Sequence, residues 1–478
     1  MQGIIGVRIM IKIINNSEFD SYWKKANNKK DDLKTDKIVR KIITDVRIDG
    51  DIAIRKYATK FDRSSPQKME VPLSEAKHVL EHLRIKDPSL VSALELAAKN
   101  IKKFSDKQKE QFTDFEFEME AGLVTGQRVI AVQKAAVYIP GGRFPLFSSV
   151  LMCLIPAFCA GVEEVILTSP PLADGLPDKR TLAAVAIAAD VSGIQDKRLR
   201  IFAIGGAQAI AALALGTKTV PRVDVITGPG NKYVAAAKKL LFGEVGIDFI
   251  AGPTDVLVIA DGKAEDTANM EIAADLVAAD MLGQAEHDTD ARARALVPNK
   301  EFAEKVSAAI ENRLKTLSTA KTARVSLEEG GLIIIYDNKD EAIRIANVIA
   351  PEHLELQVAD CNSWIPSLKN YGSLFIGALS AEVLGDYSAG INHTLPTSAS
   401  ARFTGGLSVR HFLKTVTTLR CSQSEGYEKA RNAAEILSKA EGLEGHAQAA
   451  FSRRIESISL CSTTVGSHAQ AACRRKTC

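Results

Sequence analysis

The chain has 478 residues, of which 46% are hydrophobic and 25% charged, a balance typical of a folded protein large enough for more than one core. Its 61 lysines and arginines barely exceed its 58 aspartates and glutamates, which argues against nucleic acid or an anionic membrane as the main partner. A small-molecule substrate fits this charge balance better.

The N-terminal residues up to Ile14 are apolar but interrupted by Arg8 and Lys12, and no small-residue cleavage site follows them. We therefore expect a first strand here, with a weak signal peptide as the alternative. No uninterrupted apolar run in the sequence reaches the roughly 18 residues that a membrane-spanning helix needs, so we expect a cytoplasmic protein. The seven cysteines lack CxxC spacing, and we expect them to be free thiols.

Helix-like and strand-like patterns divide the chain. From about 15 to 125 the sequence is charged and helix-periodic, which predicts helices with one solvated face. From Arg128 onward strands and helices alternate, which predicts an α/β fold with a mainly parallel sheet covered on both faces. We expect a loop from 386 to about 406, helix to about 457 and a disordered tail over 458–478. The predicted strands are 129–132, 135–139, 164–169, 200–204, 256–260 and 332–336, and the predicted helices are 148–160, 181–189, 208–215, 273–286 and 340–349.

Several polar residues could bind a metal ion. Gln284 and His287 end an apolar helix three residues apart, so they project from the same face. Further oxygen and nitrogen donors follow at Asp386, His393, Glu441 and His446. Imidazole, carboxylate and amide oxygen together form a plausible zinc set that leaves a position open for substrate. Spacing alone does not bring these distant residues together, and structural histidines are the alternative.

The segment Pro351-Glu352-His353 places an acid beside an imidazole. Neighbouring side chains in an extended segment point apart, so the pair suits two separate roles. His353 could deprotonate an alcohol while Glu352 activates a water molecule. The alternative is a helix start with proline at its first position and His353 on the surface.

Two glycine turns could approach a cofactor. Gly205-Gly206-Ala-Gln208 and Gly228-Pro-Gly-Asn231 each follow an apolar strand, where glycine allows the backbone to come close to a phosphate or ribose. Neither turn matches the GxGxxG fingerprint of dinucleotide-binding proteins. Taken alone, they could equally be ordinary turns.

Taken in order, these segments resemble the histidinol dehydrogenase family over roughly residues 40 to 455. So many ordered motifs make a chance resemblance negligible. The motifs that carry the resemblance are Tyr138-Ile-Pro-Gly-Gly, Gly205-Gly-Ala-Gln-Ala-Ile-Ala-Ala, Gly228-Pro-Gly-Asn, Ala251-Gly-Pro-Thr-Asp-Val-Leu-Val-Ile-Ala-Asp, Gln284-Ala-Glu-His, Pro351-Glu-His-Leu, Gly385-Asp-Tyr, Asn392-His-Thr-Leu-Pro-Thr and Gly406-Leu-Ser-Val.

The resemblance implies a role for each candidate residue. The implied zinc ligands, for one ion per subunit, are Gln284, His287, Asp386 and His446, and the implied catalytic pair is Glu352 and His353. The implied NAD contacts are Tyr138, Gln208 and Asn231. The implied substrate contacts are the four zinc ligands and His353, together with Thr254, His393 and Glu441.

The resemblance also implies two incomplete Rossmann-like domains with parallel sheets, small helical terminal segments and an intertwined homodimer. In that dimer His393, Glu441 and His446 would reach the neighbour's site. The expected parts are an N-terminal segment over 1–30, a catalytic and zinc-binding domain over 31–137 and 253–405, an NAD-binding domain over 138–252, and a C-terminal helical domain over 406–457.

The implied reaction is the four-electron oxidation of L-histidinol to L-histidine through histidinaldehyde. His353 would take the hydroxyl proton, Glu352 would activate the water that attacks the aldehyde, and each of two NAD molecules would accept a hydride. Zinc would orient the substrate through its nitrogen atoms.

One departure leaves the substrate open. Family members committed to histidinol usually carry Ser-Glu where this chain has Thr254-Asp255. Relatives that oxidise other small polar alcohols, such as sulfonated diols, are therefore an alternative, although Glu441 would repel a sulfonate. A zinc hydrolase is a more remote alternative, which the glycine turns and the absence of an HExxH helix in the sequence oppose. A non-enzymatic metal-binding protein is opposed by the presence of both Glu352 and His353.

Overall fold

The computed structural model describes residues 11–26, 32–62, 64–65, 68–141, 145–195, 197–263 and 269–454. The chain divides into a larger unit, Met1–Lys109 with Ala131–Phe412, and a smaller unit, Glu110–Ile130 with Leu413–Cys478. Among the described residues, no helix is both long and apolar enough to span a bilayer.

Strands and helices alternate through most of the larger unit. The strands are β1 Lys12–Asn15, β2 Glu70–Val71, β3 Phe115–Glu120, β4 Leu123–Ala131, β5 Lys134–Tyr138, β6 Glu164–Ser169, β7 Leu199–Ala203, β8 Val225–Thr227, β9 Gly246–Ile247, β10 Asp255–Ala260, β11 Arg292–Val297, β12 Leu332–Ile335, β13 His353–Gln357, β14 Ser373–Ile376 and β15 Leu413–Cys421. The helices are α1 Asn16–Ala26, α2 Leu33–Asp49, α3 Asp51–Phe61, α4 Leu73–Lys86, α5 Pro88–Lys109, α6 Ser148–Ala160, α7 Lys179–Val191, α8 Gly206–Leu215, α9 Lys232–Leu241, α10 Met270–Ala285, α11 Lys300–Leu314, α12 Ala320–Gly330, α13 Lys339–Ile349, α14 Cys361–Trp364, α15 Glu382–Tyr387, α16 Glu425–Ala440 and α17 Glu444–Phe451.

The first sheet, which we call sheet A, has the strand order β1-β12-β11-β10-β13-β14, and its strands pair in parallel. After Asp255 at its start, the inner strand β10 is apolar at every position and buried on both faces, as parallel sheets require. Val256 and Val258 pack into the core under α10, α11 and α12, whereas Leu257 and Ile259 pack into the core under α1 and α13. Each face of the sheet thus has its own helical cover.

The second sheet, sheet B, has the order β2-β7-β6-β5-β8-β9. Strands β5 to β9 pair in parallel, and the short β2 adds to the edge in the antiparallel sense. In both sheets the chain starts its parallel set at an inner strand, β5 or β10, builds outward on one side and then crosses to the other side. This reversal of direction is the Rossmann-type arrangement, in which ligands bind outside the carboxyl ends of the strands. The prediction of an α/β fold with parallel sheets is confirmed.

The smaller unit contains a three-stranded sheet of order β15-β4-β3 together with α16 and α17. Strands β3 and β4 form an antiparallel hairpin around Gly122. The prediction of helix throughout 406–457 is therefore wrong for 413–421, which is a strand. The prediction that residues up to 125 form helices is likewise wrong over β3.

The helices between 33 and 109 pack on α6, α7, α8 and α9 of sheet B. The expected domain boundaries stay a prediction. The alternative of a helix start at Pro351 is wrong: α13 ends at Ile349, Ala350 follows it in a left-handed conformation, and β13 begins at His353. The expected disordered tail over 458–478 and the first ten residues of the expected N-terminal strand lie outside the described residues.

Candidate active site

A cavity of about 160 Å³ lies within the larger unit, where the carboxyl edge of sheet B faces the amino edge of sheet A. Sheet B contributes the start of α6 and the turn after β8, and sheet A contributes the segments that lead into β10 and β13. The polar residues that line it are Ser148, Ser149, Thr254, His287, Glu352, His353, Asp386, Tyr387, His393, Thr394 and Thr397. The structure thus brings six of the predicted site residues to one cavity: Thr254, His287, Glu352, His353, Asp386 and His393.

Glu352 is buried and held by the residues that precede β10. Its Oε2 atom accepts hydrogen bonds from the Thr254 hydroxyl at 2.5 Å and from the Asp255 backbone N–H at 3.1 Å. In return, its own N–H donates to the Asp255 carboxylate at 3.2 Å. Burial raises the pKa of Glu352 to about 7, although His353 and the Thr254 hydroxyl act in the opposite direction. A carboxyl group with this pKa can exchange protons near neutral pH.

His353 lies among three carboxylates. Its Nε2 atom is 3.3 Å from Oδ1 of Asp386, and its Nδ1 atom is 3.7 Å from Oε2 of Glu382 and 3.9 Å from Oε2 of Glu352. Burial disfavours the imidazolium, but these negative charges outweigh burial and raise the pKa of His353 well above its ordinary value. Nε2 of His353 and Oδ1 of Asp386 are both buried without a hydrogen-bond partner among the described residues. Buried polar atoms in that condition typically mark a place for a ligand.

His393 lies in the wall of the same cavity, so it lines the site of its own chain and not, as expected, that of a neighbour. Its Nδ1 atom lies 2.8 Å from the backbone oxygen of Asp386, and its Nε2 atom lies 3.0 Å from the hydroxyl oxygen of Ser149. The carbonyl can only accept, so Nδ1 carries the proton and Nε2 accepts from Ser149. Burial lowers the pKa of His393, which keeps this imidazole neutral at ordinary pH.

The predicted metal ligands are only partly assembled. Gln284 is buried at the end of α10, and its Nε2 atom donates to the Thr254 hydroxyl at 2.7 Å, so its carbonyl oxygen is the atom left to bind a ligand. His287 and Asp386 both line the cavity. Across the part of the chain that the structure describes, no three His, Cys, Asp or Glu side chains are arranged to hold a metal. The remaining predicted ligand, His446, is exposed in the smaller unit, as is the predicted substrate contact Glu441.

A larger cavity of about 580 Å³ lies at the carboxyl edge of sheet B. Its walls follow the ends of β5, β6, β7 and β8, and they contain all three predicted NAD contacts, Tyr138, Gln208 and Asn231. The Tyr138 hydroxyl accepts a hydrogen bond from the N–H of Gly206 at 3.0 Å, and Gln208 is almost completely buried. Asn231 caps α9 through its side-chain oxygen, which leaves its amide group for a ligand. The position fits the general rule for ligands of Rossmann-type sheets.

The turn Gly228-Pro-Gly-Asn231 connects the two cavities. Pro229 lines the smaller cavity and Asn231 lines the larger one. Gly228 has a φ of 107°, and a side chain there would collide with the backbone oxygen of Tyr138. A buried ion pair holds the turn, because Lys238 donates to the Gly228 carbonyl at 3.0 Å and pairs with Asp248, whose carboxylate accepts from the Gly228 N–H at 2.8 Å.

Sequence reasoning missed several supporting residues. Lys238 and Asp248 anchor the turn, Asp255 and Arg294 form a buried pair at 3.0 Å beside Glu352, and Glu382 faces His353. A lysine within the apolar stretch of α9 was the one available signal, since buried lysines are rarely unpaired. The other pairs join residues too far apart in sequence to be recognised from local pattern.

A sheet with a nucleotide-sized cavity at its carboxyl edge, next to a buried Glu–His pair, defines a class of α/β enzymes that bring a bound cofactor to an acid–base site. The chain belongs to the histidinol dehydrogenase family, whose model, described as histidinol dehydrogenase, matches residues 25–454. Histidinol dehydrogenase from Aquifex aeolicus is 44% identical over 88% of this chain and 92% of its own, and the enzyme from Thermus thermophilus is 43% identical over 88% and 95%. The crystal structure of histidinol dehydrogenase from Elizabethkingia anophelis is similar with a TM-score of 0.83, at 33% identity, over 94% of this chain and 99% of that one.

Proposed function

We propose that this chain oxidises L-histidinol to L-histidine through the aldehyde, with NAD as the hydride acceptor in both steps, in the last part of histidine biosynthesis. The observation that carries the proposal is the shared turn Gly228-Pro-Gly-Asn231, which borders both the cavity with Glu352 and His353 and the cavity with Tyr138 and Gln208. Curated relatives that are 40–44% identical and named histidinol dehydrogenase support the choice of substrate.

NAD supplies the hydride acceptor when it is bound. Tyr138, Gln208 and Asn231 would hold it at the carboxyl edge of sheet B. His353 in its neutral form would accept the hydroxyl proton of histidinol as the hydride leaves the carbinol carbon. Its three neighbouring carboxylates favour the imidazolium that this step forms.

Glu352 would act in the second oxidation. Thr254 and the backbone of Asp255 fix Oε2, so Oε1 is the oxygen that would accept a proton from water. Water then adds to the aldehyde carbon, and the hydrate loses a hydride and protons to give the carboxylate. The complete reaction converts one alcohol, one water and two NAD⁺ to one carboxylate, two NADH and three protons.

The donor set fits a zinc ion. Asp386 presents a buried carboxylate oxygen that accepts no hydrogen bond from the described residues, although it lies 3.3 Å from Nε2 of His353, and His287 lines the same cavity. An amide oxygen from Gln284 and the imidazole of His446 would complete a four-ligand site of hard and borderline donors. Zinc would supply orientation of the substrate and stabilise negative charge.

We propose that a second copy of the chain supplies His446, Glu441 and a face of the site. The helix α15, which carries Asp386, exposes Val383, Leu384 and Tyr387 at 52%, 47% and 49%. Adjacent exposed apolar side chains beside a polar cavity are typical of a surface that another protein covers. A soluble substrate and NAD are consistent with action in the cytoplasm.

The Thr254-Asp255 departure is compatible with histidinol. The Thr254 hydroxyl bridges Glu352 and Gln284, and a serine hydroxyl could form the same two hydrogen bonds. Asp255 retains a carboxylate that is paired with Arg294. The methyl group of Thr254 is therefore the main addition to the cavity.

The test is NADH formation by zinc-loaded protein with L-histidinol, compared with a panel of small diols, sulfonated diols and amino alcohols. We expect two NADH per histidinol, loss of activity on chelation and recovery on return of Zn²⁺. Turnover of a sulfonated diol without turnover of histidinol would instead assign the chain to a sister activity of the family.

A further inference from the structure

A further polar cavity, of about 270 Å³, lies within the larger unit. It shares no lining residue with the cavity of about 160 Å³ that contains Glu352 and His353, or with the cavity of about 580 Å³ at the carboxyl edge of sheet B. Three arginines line it, Arg292, Arg294 and Arg402, together with the carboxylate of Asp255. Neither the reaction proposed above nor the expected ligands use these arginines.

The charges in this cavity are unbalanced. Arg294 is buried and donates to Asp255 at 3.0 Å, and Arg402 donates to the backbone oxygen of Val348 at 2.5 Å. Among the described residues, no carboxylate pairs with Arg292 or Arg402. Three guanidinium groups therefore face a single carboxylate. Arg294 is buried and Arg292 is partly buried, whereas Arg402 is exposed, so it is chiefly the charges of Arg294 and Arg292 that are costly without a compensating anion.

Arg292 and Arg294 are close enough to interact, and Arg402 lines the same cavity. The pKa of Arg294 lies below its ordinary value because burial disfavours its charge; Asp255 opposes this effect and the like charge of Arg292 adds to it. The guanidinium carbon of Arg294 also lies 5.2 Å from the centre of the Trp23 ring, so an aromatic wall stands beside the charged one. An aromatic ring beside arginines suits a small organic anion, and the arginines alone also suit an inorganic anion.

We propose that this cavity binds a small oxyanion, either a carboxylate or a phosphate, through Arg292 and Arg402 beside Arg294. Planar guanidinium groups match both anions because they donate two parallel hydrogen bonds. The volume of about 270 Å³ accommodates inorganic phosphate or a short organic acid.

The site is linked to catalysis through one residue. Asp255 accepts from Arg294 through Oδ2 and from the N–H of Glu352 through Oδ1 at 3.2 Å. A bound anion would compete with Asp255 for Arg294. An anion bound in this cavity would therefore affect Asp255, the residue that positions Glu352.

The experiment is calorimetric titration of the zinc-loaded protein with inorganic phosphate, acetate and malonate at constant ionic strength. Saturating NAD is present so that phosphate cannot bind in the cofactor cavity. We expect saturable binding that Arg292→Gln weakens by about tenfold or more, since a charge-assisted hydrogen bond is lost. Arg420→Gln, the same change on an exposed strand of the smaller unit, should leave the affinity unchanged. Heat no greater than that of sodium chloride, or equal binding by Arg292→Gln, would overturn the proposal.

A second measurement locates the anion and does not depend on the arginine variants. The chain has two tryptophans, so Trp364→Phe leaves Trp23 as the reporter of this cavity. Its fluorescence should change with the dissociation constant found by calorimetry. Binding without a response of Trp23 would place the anion elsewhere and refute the site. Tighter binding of phosphate or of malonate identifies the anion class, and neither result depends on the substrate proposed for the catalytic site.

Discussion

The carboxylate of Glu352 and the hydroxyl of Thr254 are joined by a hydrogen bond of 2.5 Å. Because the Thr254 hydroxyl also accepts from Gln284 at 2.7 Å, it is oriented to donate to Glu352. One side chain therefore connects the proposed water-activating group to a proposed metal ligand. The first two predictions test the role of Glu352 and of this hydrogen bond.

Replacement of Glu352 by glutamine should separate the two oxidations. The amide cannot take a proton from water, so oxidation of the aldehyde should slow by about a hundredfold or more. Histidinol oxidation to the aldehyde should persist because His353 is retained. Single-turnover measurement of NADH per histidinol, with chemical trapping of the aldehyde, checks this. Full two-step turnover by the variant would exclude Glu352 as the base.

The rate of aldehyde oxidation should rise with pH through the pKa of Glu352, which is about 7, because only the carboxylate can accept a proton. The Thr254 hydrogen bond lowers this pKa, so Thr254→Val should move the rise to higher pH. Rate–pH profiles with histidinaldehyde measure both effects. The profile of the first oxidation in the same variant is the control, since it reports on His353. An unchanged second profile would contradict the assignment.

Hybrid dimers should test whether sites are shared. A dimer of one Glu352→Gln subunit and one His446→Ala subunit contains one doubly altered site and one intact site if His446 serves the partner. Each variant alone should form almost no histidine. Mixing and re-equilibrating the two should then restore about a quarter of the normal rate of histidine formation, by random pairing of subunits. Two Glu352→Gln preparations mixed in the same way are the control. No recovery in exchanged dimers would mean that His446 acts in its own subunit.

Glu355 should make stability depend on pH. It is buried beside Asp280 and Glu382, and burial together with these charges raises its pKa well above the ordinary value. A raised pKa in the folded state stabilises the fold below the unfolded-state pKa, and this contribution is lost as pH rises through the folded-state pKa. Glu355→Gln should therefore raise the free energy of unfolding at mildly alkaline pH by about 1–3 kcal/mol, with little gain in acid.

Denaturant unfolding of wild type and Glu355→Gln at acidic and mildly alkaline pH measures the difference. Glu328→Gln, on an exposed position of α12, is the matched control and should change stability at neither pH. An equal effect of Glu355→Gln at both pH values would show that the carboxyl group does not titrate in this range.

Much of the fold could be predicted from sequence because the signals are local. The run from Val256 to Ala260 is apolar at every position, and alternate residues supply two separate cores. The strands and helices predicted between 129 and 349 correspond to β4–β7, α6–α8, β10, α10, β12 and α13, with ends that differ by up to six residues.

Two of the failures depend on partners that are distant in sequence, whereas the strand 413–421 carried a local signal. Pro351 suggested a helix start, yet pairing of His353 with Val256 and Ser373 makes this segment a strand. The strand 413–421 carries β-branched residues in Thr415-Val-Thr-Thr418, a signal that favoured a strand over the predicted helix. The gathering of Thr254, Glu352 and Asp386 followed from family resemblance and not from spacing.

The two sheets use opposite edges. Sheet B has the cavity proposed to bind NAD at the carboxyl ends of its strands, whereas sheet A carries Glu352 and His353 at the amino ends. The turns at the carboxyl edge of sheet A therefore position no group that takes part in the proposed reaction. A fluorophore or affinity peptide inserted at the exposed Ala359, after β13, should leave turnover intact, while the same insertion after β8 would abolish it. The enzyme could therefore be attached to a solid support through the carboxyl edge of sheet A without loss of activity.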